Sequence, residues 1–269
     1  MIHRVQAHLS TLKGSELKSL ALSCGVTLTG TKATLVNRLG THFEQLLHLG
    51  KPTTTTTTTK NIVLDVDRLL PSSVLSFDMG YRNLAFVQVS KERHIKAWQV
   101  VDLALENFHP SSMAPVVRQF VYDNIRPLSP LEHILIEQQR ARSNGSHGIF
   151  EHTLRVNTVE ALLWCSLQEC LTTTTMEPIL RRPVDQLWQD GLESLWSTNN
   201  GSEKKMNKKH ASILLVQHWL DQQTVSCPDD LAHMFRLAKK KDDLSDCLMQ
   251  ALAWYQWREN AINYLTSLQ

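Results

Sequence analysis

Acidic residues sit at three places where the sequence otherwise reads as buried. Asp78 follows the strand-like run Ser73-Val74-Leu75-Ser76-Phe77 and precedes Met79-Gly80. Glu137 closes the apolar run His133-Ile134-Leu135-Ile136. Asp242, Asp243 and Asp246 open a helix on which Leu244, Cys247, Leu248, Ala251, Leu252 and Tyr255 share one face. Carboxylates gathered at the ends of buried elements lose hydration and repel one another, and a divalent cation offsets both. Hard oxygen ligands select Mg2+ or Mn2+. Two such ions about 3.5–4 Å apart stabilise the attacking and leaving oxygens of an in-line phosphoryl transfer. At about 100° per residue, Asp243 lies about 60° and Asp242 about 40° from Asp246 around the helix axis, so either can share a site with it. Taken alone, the helix trio also fits N-terminal capping and dipole complementation.

The elements that must position these acids follow from periodicity. Ser73–Phe77, Asn83–Val89 and Ile95–Leu103 read as a three-strand meander. Met113–Ile125 has helical spacing, His133–Glu137 is a short strand, and Glu151–Leu171 is a long helix. Pro178–Arg182 reads as a further strand, and Lys204–Gln222, Asp229–Leu237 and Asp243–Leu265 as helices. Strands in meander followed by alternating helices and strands indicate an α/β layered domain. Gly80 lets the following strand turn in close.

A Thr run, Thr53–Thr59, has no apolar face to bury and divides the chain. The expected organisation is a small helical module over 1–50, a linker over 51–60 and a large domain over 61–269. A second run, Thr172–Thr175, reads as a surface loop. The first segment is expected to hold two short helices. Ser15 would cap one that ends at Cys24-Gly25, and Gly30-Thr31 would open the other, which carries Leu35, Leu39, Phe43, Leu46 and Leu47.

Composition sets the outer limits. The chain has 269 residues, 42% of them hydrophobic, and a formal charge of +2. No apolar run approaches the roughly 20 residues of a membrane span. The five cysteines are scattered without a CxxC, which excludes a disulfide framework or thiolate zinc site and predicts a reducing compartment. The net charge alone does not argue for nucleic acid, but its distribution does. Lys204, Lys205, Lys208 and Lys209 cluster with His210; Lys239, Lys240 and Lys241 with Arg236; and Arg140 lies beside Arg142. Such clusters suit a polyanion, although each one alone also suits a solvated helix face. Of the seven tryptophans, most are expected in the core, with one or two able to stack on opened bases.

Two resemblances sharpen this reading. Leu12, Leu17, Leu20, Gly25, Gly30, Lys32, Leu35 and Arg38-Leu39 resemble the SAP pattern, a small helix-extended-loop-helix DNA-binding motif, over residues 10–48. That resemblance implies duplex phosphate contacts from Lys32, Arg38 and backbone amides at the second helix start. SFDMGYRNLAF, ILIEQQRAR and KKDDLSDCLMQALAW, in that order and separation, resemble the three acidic motifs of the RuvC-type branch of the RNase H-like superfamily. With the SAP-like front, the chain resembles the fungal mitochondrial Holliday-junction resolvase family.

The resemblance implies an RNase H-like mixed sheet flanked by helices and an endonuclease that resolves four-way DNA junctions by paired nicks, each leaving a 5′-phosphate and a 3′-hydroxyl. It implies two Mg2+ ions, replaceable by Mn2+, held by Asp78, Glu137 and Asp246, with Asp242 or Asp243 as fourth carboxylate. Asp78 would ligate both ions and Glu137 would position the water. Some of Gln138, Gln139, Arg140 and Arg142, which directly follow Glu137, would face the scissile strand, and the lysine clusters would supply salt-dependent phosphate contacts. Ser143–Gly148 would approach the DNA backbone or serve as a connection. Phe77 and the Thr172–Thr175 insertion depart from the family pattern without removing a ligand.

Two symmetric nicks require a twofold homodimer. The helix over Val156–Leu171 is the candidate interface, unless its apolar surface covers its own sheet. Mitochondrial localisation comes from the resemblance, with weak support from a Met1–Ser15 segment that holds Arg4 and Lys13 and no acid. The alternatives are a non-catalytic junction scaffold of the same fold and a nuclease acting on RNA–DNA hybrid.

Overall fold

The computed structural model describes residues 1–51, 64–140, 150–200 and 206–268. The chain divides into two compact units. One comprises Ser73–Arg181 and Asp190–Ala251, and the other Met1–Ser72, Arg182–Gln189 and Leu252–Gln269.

The larger unit is built on a five-stranded sheet of order β3-β2-β1-β4-β5. The strands are β1 (Ser73–Asp78), β2 (Asn83–Ser90), β3 (Ile95–Asp102), β4 (His133–Glu137) and β5 (Thr175–Ile179). β1, β2 and β3 pair antiparallel, while β4 lies parallel to β1 and β5 parallel to β4. β1 is buried along its whole length, as a central strand covered on both faces must be, whereas β3 at the edge is fully buried only at Ile95 and Trp98.

The period of two decides where the acids point. Leu75 and Phe77, Leu84 and Phe86, and Ile134 and Ile136 enter one core. There they meet Met113, Val117 and Phe120 of α5 (Pro110–Phe120) and Val159, Leu163 and Leu167 of α6 (Glu151–Cys170). Ser76, Asp78 and Glu137 therefore face the other side. On that side Ser76 Oγ donates to Gln250 Oε1 at 3.4 Å, and Trp98 Nε1 donates to the Leu244 carbonyl at 3.0 Å. Both partners belong to α10 (Lys241–Ser267), whose apolar stripe from Leu244 to Tyr255 is buried as expected.

Several sequence expectations need correction. The strand expected at Pro178–Arg182 lies at Thr175–Ile179, and Arg181 instead opens α7 (Arg181–Asn200), a helix the sequence reading missed. Thr175 belongs to β5, so only the front of the Thr172–Thr175 run is a turn. α5 runs on through a π-helical turn at Val121–Ile125. The helix expected from Lys204 is α8 (Lys208–Asp221), where Asn207 Oδ1 accepts from the His210 amide as N-cap. The apolar stripe of α6 serves its own sheet, the second of the two roles offered for it. α9 (Asp229–Leu237) falls where expected, and Trp98 stacks on its Phe235 at 4.7 Å.

The smaller unit begins with three long helices, not two: α1 (Ile2–Thr11), α2 (Gly14–Ser23) and α3 (Lys32–Leu49), followed by the single turn α4 (Val66–Leu69). Val5 and Leu9 of α1 are fully buried, so this stretch is part of the fold. The α2 N-cap is Lys13, whose amide donates to Glu16 Oε2, so Ser15 lies inside the helix. Thr31 caps α3 through Oγ1, accepting from the Thr34 amide at 3.3 Å. Gly25 has φ +71°, and a Cβ there would lie 2.4 Å from the Trp257 ring.

This unit has one core, in which Val5, Leu9, Leu17, Leu35, Leu39, Phe43 and Leu46 pack with Ala261, Ile262 and Leu265 of α10. Phe43 stacks on Tyr264 at 4.8 Å, and Asn260 Nδ2 donates to the Ser23 carbonyl at 2.7 Å. Among the described residues, the N-terminal helices share this core with Leu64, Leu69 and the end of α10. The expected linker over 51–60 lies outside the described residues except for Lys51. All five cysteines are free thiols, and no helix among the described residues is long and apolar enough to cross a membrane.

Candidate active site

Asp78 and Glu137 end adjacent parallel strands whose register pairs Phe77 with Ile136, so the two carboxylates leave the sheet side by side. Glu137 Oε2 accepts from the Met79 amide at 3.4 Å and from Gln139 Nε2 at 3.1 Å. The Gln139 amide in turn donates to Glu160 Oε2 of α6 at 3.1 Å. Asp246 reaches the same place from the start of α10. Arg181 Nη1 donates to Asp246 Oδ2 at 2.6 Å and lies 3.9 Å from Asp78 Oδ1.

Burial pushes the Asp78 carboxyl well above the usual carboxylate range, and the charges of Glu137 and Asp246 push it further. Arg181 opposes this without reversing it. Glu160 is also raised, mainly by burial, while the Gln139 amide pulls the other way. Mutually repelling hard oxygen donors of this kind suit a divalent cation. Among the described residues, no three His, Cys, Asp or Glu side chains already converge as ligands.

The other two acids of α10 differ in their partners. Asp242 Oδ2 accepts from Lys209 Nζ at 2.7 Å. Burial works against its charge, but the Lys209 bond prevails and holds the carboxyl below its ordinary range. Asp243 is raised by burial and by Asp242, feels Arg181, and has only a long 3.9 Å approach to Lys240. Asp78, Glu137 and Asp246 thus form the centre, and Asp242 is committed to Lys209.

The expected nucleic-acid contacts divide in the same way. Lys32 is exposed at the first turn of α3. Arg38 is exposed too, but its guanidinium donates to the Thr27 carbonyl at 3.3 Å and to the Thr29 carbonyl, so it shapes the α2–α3 loop. The Gln138 amide donates to the Ile179 carbonyl at 2.8 Å while its side chain is exposed beside Glu137, as is Arg140. Lys208, Lys239 and Lys240 are exposed and Lys241 is half-buried. Arg142, Lys204, Lys205 and the Ser143–Gly148 segment lie outside the described residues. Trp98, Trp196, Trp254 and Trp257 are buried, as expected for most of the tryptophans.

Sequence reasoning missed Arg181 and Glu160. A signal for Arg181 existed, because it follows the C-terminal end of a strand parallel to β1 and β4, the end at which open α/β sheets gather their ligands.

Gly80 holds the front of the site. A Cβ there would stand 2.3 Å from the Asn83 carbonyl oxygen, so the turn leaving Asp78 has no room for a side chain. Gly80→Ala is expected to cut any phosphodiesterase turnover by about a hundredfold, the scale of a 1 Å misplacement, with binding of substrate retained. Turnover within a few-fold of the parent would show that the turn yields without moving Asp78.

The family model described as mitochondrial resolvase Ydc2 / RNA splicing MRS1 matches residues 74–238. The chain belongs to this family. It is 28% identical over 212 residues to the mitochondrial cruciform cutting endonuclease 1 of Schizosaccharomyces pombe, covering 72% of this chain and 81% of that relative. The crystal structure of the yeast mitochondrial Holliday junction resolvase Ydc2 aligns with a TM-score of 0.64 at 21% identity, over 96% of this chain and 98% of that one. The Ydc2 family match begins at the second residue of β1 and takes in Asp78 and Glu137. The expected RNase H-like mixed sheet flanked by helices is the observed fold.

Proposed function

We propose that the chain is a divalent-metal-dependent endonuclease that resolves four-way DNA junctions in mitochondria. The observation that carries this reading is the meeting of Asp78, Glu137 and Asp246, from two adjacent strand ends and a helix start, in a family that includes junction resolvases. A protein that only held junctions would gain nothing from keeping three repelling carboxylates together.

Asp78, Glu137 and Asp246 would hold the metal. Asp243 would be the fourth carboxylate in preference to Asp242, which, like Asp246, would first have to release a paired cation. When bound, two Mg2+ ions, or Mn2+ in their place, would supply Lewis-acid stabilisation of the attacking and leaving oxygens. Gln139 fixes the rotamer of Glu137 through Oε2, and Glu160 fixes Gln139, so the carboxylate that orients the water is held before substrate arrives. Water attack at phosphorus breaks the P–O3′ bond and leaves a 5′-phosphate and a 3′-hydroxyl. Gln138, Arg140, Lys239 and Lys240 are placed to contact the strand near the cut. Residues 1–50 form a SAP-like DNA-binding module with Lys32 at the phosphate, and Arg38 shapes the loop.

Two nicks need two sites, so a homodimer presents them. Phe150 and Leu154, each 53% exposed at the start of α6, are apolar positions that a second copy would cover.

The test is cleavage of an end-labelled four-way junction, with linear duplex and RNA–DNA hybrid alongside, in Mg2+ and in EDTA. Paired symmetric nicks in the junction with Mg2+ alone are expected. The family description also names RNA splicing, which makes nucleic-acid binding without hydrolysis the second reading. Tight junction or RNA binding with no cleavage would establish it.

A further inference from the structure

Arg181 lies in the carboxylate site, and the proposed chemistry assigns it no role. It opens α7 directly beyond β5, with Nη1 2.6 Å from Asp246 Oδ2 and 3.9 Å from Asp78 Oδ1. The two carboxylates are 13% and 12% exposed, while the guanidinium is 32% exposed and has a route to solvent. A guanidinium is permanently charged, so it neutralises in part a cluster that would otherwise hold three neighbouring negative groups. A metal ion shared by Asp78 and Asp246 would need the same oxygen atoms. Two cations at that separation repel, more strongly where water is excluded.

We propose that Arg181 is a resident counter-ion that competes with the divalent metal for Asp246 and Asp78. It holds the two carboxylates in the metal-free protein, and it must release them before they can act as ligands. A substrate phosphate offers the released guanidinium a new partner, so metal and junction binding are coupled through this one side chain. The inference rests on the metal-dependent reading above, and its test reads metal binding directly.

The experiment is Mn2+ titration of the full-length, DNA-free protein by electron paramagnetic resonance, for the parent, Arg181→Gln and Arg181→Lys. Arg181→Gln is expected to bind Mn2+ about tenfold more tightly than the parent, within the usual range of a coupling between two ligands. Arg181→Lys, which keeps the charge but not the fork, should fall between them. Arg181→Gln should also melt lower than the parent in EDTA and recover in Mg2+. A purely structural role would lower the melting temperature equally with and without metal and leave Mn2+ affinity unchanged, and that result overturns the proposal. Weaker Mn2+ binding in Arg181→Gln overturns it as well. Mn2+ bound by none of the three proteins sinks the metal-centred reading together with this inference. Should Arg181→Gln not fold, the same comparison between the parent and Arg181→Lys decides it.

Discussion

Asp78→Asn is expected to lower junction cleavage by at least about a thousandfold and to leave junction affinity within about threefold of the parent. Asp78 is the most central of the acids. It ends β1 beside Glu137, and both Glu137 and Asp246 act on its charge. Asparagine keeps the shape and one carbonyl oxygen but loses the anionic ligand, while the proposed phosphate contacts lie on other elements. Stability should move the opposite way. Burial and the neighbouring carboxylates raise the energy of the charged Asp78 more than Arg181 lowers it, so the variant should melt higher than the parent in EDTA. Each kcal/mol gained corresponds to about 2–4 °C for a protein of this size. Single-turnover cleavage and thermal melting check both halves. Cleavage within tenfold of the parent would remove Asp78 from the metal site. Loss of cleavage and binding together would mean the substitution disturbed the fold.

Removing residues 1–50 is expected to yield an aggregating protein, not a smaller working nuclease. The N-terminal helices share their core with Ala261, Ile262 and Leu265, and Phe43 covers Tyr264. The deletion would bare that face of α10. Each large apolar side chain returned to water costs about 1.5–3 kcal/mol, and a few of them rival the whole stability of a typical domain. The milder Phe43→Ala should cost about 3–5 kcal/mol, read from urea unfolding. A soluble truncated protein that cleaves junctions at the parental rate would show that α10 holds its end unaided. The proposed DNA binding by the N-terminal helices is therefore better tested by Lys32→Ala, at an exposed residue.

The parts of the site that were legible in the sequence are those where an acid breaks an apolar pattern. Val74-Leu75-Ser76-Phe77 and Ile134-Leu135-Ile136 could only be buried strands, so Asp78 and Glu137 stood out at their ends. The stripe from Leu244 to Tyr255 fixed the buried face of α10 in the same way. Spacing did not distinguish the surroundings of Asp242 and Asp243, because Lys209, which pairs with Asp242, approaches from another helix. Arg181 was hidden because α7 was not recognised. Pro183 sits at its third position, where a helix tolerates proline but a reader of patterns sees a break. The first helix was obscured by its composition: Arg4 and Lys13 without an acid suggested a targeting segment, and only Val5 and Leu9 mark the buried face. Arg38 was read from its charge as a phosphate contact, and nothing in its charge revealed that two carbonyls of its own loop claim it.

The shared core of the smaller unit also sets an order of events in folding. His8 bonds Tyr264 across 256 positions, and Asn260 bonds Ser23 across 237. Such contacts form late, because the entropy of closing so long a loop must be met before any of them helps. During synthesis the first three helices emerge with Phe43 lacking its Tyr264 partner, and it stays so until the end of α10 has been made. The nascent chain therefore carries an exposed apolar surface through most of its production. A chaperone that shields such surfaces should raise the yield of this protein far more than its size alone would suggest.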